Sequence, residues 1–145
     1  MTAAPKKIIS PQDNGNTFPE GKELLKKVVR LLYDKKGERM NIFDLTGEYF
    51  YTDYIVIVQG TSDRHVRAMA DNVFAEFKKQ GMKPLGYEGY DTGQWILIDF
   101  GDAIIHIFQE PVRDMYDLEG IWSTMPSITP ADLLPEDYFK NTQNT

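Results

Sequence analysis

Apolar positions recur along the chain with two periods. Between Lys22 and Lys36, Leu24, Leu25, Val28, Val29, Leu31 and Leu32 return at helical spacing and predict a first helix. Gly37 comes next as a candidate left-handed terminator. Met40 to Leu45 predicts a short strand. Tyr54-Ile55-Val56-Ile57-Val58 is an unbroken β-branched run of the kind found in a central strand buried on both faces. Gly60-Thr61-Ser62-Asp63 breaks that run and opens a second helix, capped by Thr61 or Ser62. Val66, Met69, Ala70, Val73, Phe74 and Phe77 form its apolar stripe, and Gly81 ends it. Leu85–Tyr87, Gln94–Phe100 and Ala103–Phe108 read as strands. Pro111 then starts a third helix carrying Val112, Met115, Tyr116, Glu119 and Trp122. The order α-β-β-α-β-β-β-α predicts an α/β (α+β) fold with a mixed β-sheet of about five strands flanked by helices.

The turn Phe100-Gly101-Asp102-Ala103 fixes the register of a hairpin. Phe100 pairs with Ala103, Asp99 with Ile104, and Leu97 with His106. One face then holds Ile96, Ile98, Phe100, Ala103, Ile105 and Ile107, which is all core. The other holds Trp95, Leu97, Asp99, Ile104, His106 and Phe108. Two arrangements fit this mixed face. Left partly open, it is a docking surface anchored by Trp95. Covered by a helix, it requires Asp99 and His106 to bond each other or backbone.

Six of the eight prolines, Pro5, Pro11, Pro19, Pro126, Pro130 and Pro135, lie in the two tails. They divide the chain into a flexible N-terminal extension (1–19), one domain (20–125) and a C-terminal extension (126–145) with a turn of helix near Pro130–Leu134. Charge is unevenly spread. Residues 1–87 carry 14 basic and 11 acidic residues, a net of +3, while residues 88–145 carry 2 and 11, a net of −9. The acidic half suits either a basic protein partner or plain solubility, and argues against broad nucleic-acid contact. No apolar run approaches the ~20 residues of a membrane helix, and Met1–Ser10 lack a signal-peptide core. The expectation is a soluble, cytoplasmic protein.

Cysteine is absent and histidine is limited to His65 and His106, which excludes thiolate chemistry and multi-histidine metal sites. Asp99-Phe100-Gly101 matches a kinase triplet, but no glycine-rich loop or lysine strand precedes it. Gly60-Thr61-Ser62 resembles the glycine-serine entry of nucleotidyltransferases. Those enzymes hold Mg²⁺ with two carboxylates on one strand face, whereas Asp99 and Asp102 straddle a turn. No catalytic residue, cofactor or metal ligand is therefore assigned, and a small nucleotidyltransferase-like nucleotide-binding enzyme is the competing alternative.

Several blocks together carry a family likeness: Thr52-Asp53-Tyr54-Ile55-Val56-Ile57, Gly60-Thr61-Ser62-Asp63-Arg64-His65-Val66-Arg67-Ala68, Gly86-Tyr87-Glu88-Gly89, the run from Gly93 to Asp102, His106-Ile107-Phe108, and the run from Arg113 to Trp122. In order, over residues 22–123, they resemble the signature of the Iojap family, the ribosomal silencing factors. Gly120 departs from the pattern by standing where a helix-favouring residue is expected. The resemblance implies a nucleotidyltransferase-like sheet without catalytic carboxylates. It also implies a non-enzymatic factor that binds the large ribosomal subunit through ribosomal protein uL-fourteen. Such a factor blocks joining of the small subunit and represses translation in starvation or stationary phase. On that basis Trp95 is the expected anchor, with Leu97 and Phe108 beside it. Asp99 and Asp102 are expected to meet basic partner residues, His106 to orient a hydrogen bond or sense pH, and Tyr116 to edge the patch. A homodimer of the free protein through the same face is compatible with this scheme.

Overall fold

A computed structural model of the protein describes residues 18–48 and 50–143, with side chains through Phe139. Residues 1–17, which make up most of the expected N-terminal extension, and Tyr49 lie outside the described residues. Helices α1 (Gly21–Asp34) and α2 (Asp63–Lys78) pack on one face of a six-stranded sheet. The strands are β1 (Glu38–Asp44), β2 (Tyr54–Gly60), β3 (Gly86–Glu88), β4 (Trp95–Asp99), β5 (Ala103–Gln109) and β6 (Ser127–Ile128), in the order β3-β4-β5-β2-β1-β6. β2 and β5 run parallel at the centre, and the other pairs are antiparallel.

Both faces of the central strands are covered, so β2 is buried at every position, as its β-branched run predicts. Val56, Val58, Ile96, Ile98, Ile105 and Ile107 meet Leu24, Val28, Leu32, Met69 and Phe77 from α1 and α2. On the opposite face Ile55, Ile57, Ile104 and Phe108 meet Phe43, Leu45 and Trp122. This second core is capped by α3 (Glu110–Tyr116) and α4 (Leu118–Ile121), with Val112, Leu118 and Met125 packed against it.

Two local readings are corrected and one short element is added. Gly37 is not the left-handed residue after α1. Lys36 holds φ +64°, and Gly37 donates its N–H to Leu32 O at 3.0 Å. Glycine is required at 37 for room, because a Cβ there would fall 2.7 Å from Val58 Cγ2. The single third helix is two helices, broken at Asp117 (φ 46°, ψ 51°); Met115 and Tyr116, before the break, are exposed, while Trp122, after it, is buried. Aspartate is one of the few residues that tolerates this conformation. Finally, β6 is a sixth strand that periodicity does not mark. It pairs Ile128 with Ile42, and helix α5 (Pro130–Leu133) behind it buries Leu133 in the main core. Helix α6 (Glu136–Gln143) sets Phe139 edge-on against Tyr33 of α1.

Candidate docking face

The hairpin register is the one the turn dictates. Phe100 N–H donates to Ala103 O at 2.9 Å, Gly101 takes φ +85°, and Trp95, Leu97 and Asp99 stand opposite Phe108, His106 and Ile104. The positions of β4 and β5 on this side differ sharply in access. Phe108 is wholly buried, and the Trp95 ring lies on it at 4.8 Å between centroids and 30° between planes. Trp95 and Leu97 remain half-buried. Tyr116, from the end of α3, leans on the other flank of the indole at 4.9 Å and is 55% exposed.

His106 lies beneath this group. The Trp95 indole N–H donates to His106 Nδ1 at 3.1 Å. Indole nitrogen is a donor only, so Nδ1 must be unprotonated. Burial points the same way and pushes the imidazole pKa down to about 4. A neutral ring therefore holds the indole at neutral pH. Asp99 does not reach His106. Its Oδ1 accepts from Gly101 N–H at 2.8 Å, and its half-buried carboxylate faces the same side as Leu97. Partial burial first, and the Asp99 charge second, raise the pKa of the neighbouring Tyr51 phenol. Glu88 pairs with Leu97 across β3–β4 and so shares that side.

Asp102 stands apart from this group. It is buried, and its Oδ2 accepts from Gly21 N–H at 2.7 Å at the start of α1. The expectation that it presents to a partner gives way to a capping role. Asp99 and Asp102 thus serve different elements and do not form a carboxylate pair. The Gly60–Ser62 turn is likewise occupied by structure. Ser62 Oγ accepts from His65 N–H at 3.0 Å, His65 Nδ1 accepts from Thr61 N–H at 2.9 Å, and His65 Nε2 bonds Lys35 O at 2.7 Å. Among the described residues no group of three or more His, Asp or Glu side chains is placed to hold a metal ion. No helix there is long and apolar enough to cross a membrane.

A family model described as ribosomal silencing factor during starvation matches residues 19–145. The chain belongs to this family. It is 43% identical over 100 residues to a Haemophilus influenzae silencing factor, covering 69% of this chain and 98% of that one. A mouse protein named for mitochondrial assembly of the ribosomal large subunit is 33% identical over 120 residues, with 77% of this chain and 52% of that one covered. A crystal structure of a Chromobacterium violaceum protein superposes with a TM-score of 0.69 at 32% identity, covering 78% of this chain and 97% of the other. The silencing-factor match reaches beyond residues 22–123 and includes β6, α5 and α6.

Within this silencing-factor fold, exposed apolar side chains not foreseen among the described residues include Leu85 (77% exposed), Met115 (74%), Ile121 (66%), Tyr87, Tyr51 and Phe50. Phe50 packs edge-on to Trp122 at 5.3 Å. Met115 and Ile121 lie on either side of the Asp117 break. The signal available for them is Asp117 itself, between Tyr116 and Leu118, as a residue able to interrupt a helix.

Proposed function

We propose that this chain is a non-enzymatic repressor of translation that docks on ribosomal protein uL-fourteen of the large subunit and occupies space the small subunit needs. The observation that supports it is the half-buried indole of Trp95, immobilised by Phe108, His106 and Tyr116, on a sheet side that also carries Leu97, Asp99 and Glu88. An aromatic anchor on a rigid sheet costs little side-chain entropy on binding, and an acidic rim selects a basic protein surface. An interface of about 800 Å² per partner suffices for such a contact. Blocking subunit joining then needs only bulk, and no substrate is transformed. The same charge disfavours direct RNA contact.

Purified subunits mixed with the protein and resolved on a sucrose gradient test this directly. The protein is expected to migrate with the large subunit and to deplete the joined particle. Normal joining in the presence of saturating protein overturns the proposal. The nucleotidyltransferase alternative draws on the Gly60–Ser62 turn, where the Ser62 hydroxyl already caps α2 and Thr61 N–H donates to His65 Nδ1. A homodimer through the Trp95 face is a compatible storage form, read by light scattering across concentration.

A further inference from the structure

Arg113 is only 1% exposed, three residues before the outward-facing Tyr116. Each of its three guanidinium nitrogens donates a hydrogen bond. Nε donates to Glu119 Oε1 at 3.1 Å, Nη2 to Glu119 Oε2 at 2.7 Å, and Nη1 to Gln59 Oε1 at 3.2 Å. The first two bonds form the two-pronged fork that a planar guanidinium offers a carboxylate and an ammonium does not. Glu119 lies beyond the Asp117 break, so the fork joins α3 to α4 across the corner. Through Gln59 it also fastens both helices to the end of β2. Arg39 on β1 donates to the same Gln59 oxygen at 3.2 Å, and Asn41 bonds Glu119 Oε2. Gly120 leaves room for the corner, since a Cβ there would fall 2.9 Å from Asp117 Oδ2.

We infer that Arg113 is a positioning residue for the docking face: its fork to Glu119 sets the α3–α4 corner that holds Tyr116 against Trp95, and so controls partner affinity without touching the partner. This rests on the docking role proposed above. The side chain is buried, and the residues it orients, Tyr116, Met115 and Ile121, are the exposed ones. A buried pair spanning a helix break has one geometric consequence, the angle between the two helices. Here that angle sets where Tyr116 sits against the indole.

Arg113→Lys tests the inference, because lysine keeps the charge and loses the fork. The variant is expected to retain wild-type methyl resonances in the α1–α2 core, to lose the cross-relaxation peak between the Trp95 and Tyr116 rings, and to bind large subunits at least tenfold more weakly. Tyr116→Ala should weaken binding alone, and should add less than a twofold further loss in the Arg113→Lys background. Wild-type affinity of Arg113→Lys, or losses that multiply independently, overturn the inference. If Arg113→Lys does not fold, Glu119→Gln carries the same cycle, since it keeps an acceptor for one arm of the fork. Failure of the wild-type protein to bind large subunits removes the docking role itself. Wild-type binding with an indifferent Arg113→Lys removes only the role of Arg113.

Discussion

Trp95 and His106 are joined by a single hydrogen bond of 3.1 Å, from the indole N–H to Nδ1, at the point where a buried layer meets an open one. Neither residue is directly opposite the other in the hairpin, because Trp95 faces Phe108 and His106 faces Leu97. The bond runs diagonally and fixes the rotation of the indole over Phe108. If Trp95 anchors a partner as proposed, an indole held this way is already oriented, which reduces the ordering cost of association.

Trp95→Ala is expected to weaken co-sedimentation with large subunits by about 2 kcal/mol or more, roughly a thirtyfold loss. The β4–β5 register does not depend on that side chain, so the far-ultraviolet circular dichroism spectrum should be retained. Undiminished co-sedimentation would sink the anchor role.

His106 predicts a pH-dependent stability. Its folded pKa, about 4, lies below the ordinary value of 6.5, so the unfolded chain takes up a proton in that window and the folded chain does not. Stability is therefore full above pH 6.5, falls between 6.5 and about 4, and loses no more from this group below that. The expected loss is about 3 kcal/mol at most. Urea midpoints at pH 7.5, 6 and 5 should drift down in the wild type and drift less in His106→Phe.

Two neighbouring carboxylates should separate cleanly. Asp102→Ala removes the acceptor for Gly21 N–H and should destabilise the fold by about 1 kcal/mol, as loss of a helix cap does, with ribosome binding unchanged once folded. Asp99→Asn keeps an acceptor for Gly101 N–H and removes the charge. Its affinity should fall at low salt and converge on wild type in 0.5 M salt, where the Debye length is only a few ångströms. A salt-independent defect in Asp99→Asn would contradict a charge-steered contact.

Gly37→Ala places a methyl 2.7 Å from Val58 Cγ2 and 3.0 Å from Met69 Sδ. Both neighbours are buried, so the strain has little outlet, and thermal unfolding should report a loss of about 1–3 kcal/mol. A melting temperature equal to wild type would show that the packing at this corner yields.

The hairpin register is legible because a two-residue turn and strict alternation leave one solution, and the pairing of Leu97 with His106 follows from Gly101 alone. The buried β2 strand and the capped α2 are legible for similarly local reasons. Three features are not. Lys36 takes the left-handed position expected of a glycine, because Gly37 is needed for contact with Val58 and Met69. Asp117 breaks a helix whose apolar spacing reads as continuous. Ser127–Ile128 is too short to show a period, and only its pairing with β1 makes it a strand. At the site, the depth of Phe108 and the inward turn of Asp102 are hidden, since both depend on how distant segments cover the sheet.

The final strand has an effect that outweighs its two residues. Ile128 and Ser127 occupy the hydrogen-bonding rim of β1, and Leu133 pins α5 into the interior. A chain cut after residue 125 would bare that rim beside Ile42 and leave an empty seat under α1, exposing more of β1 as a template for other chains. The tail thus shields this stretch of β1 from strand pairing with another copy of the chain.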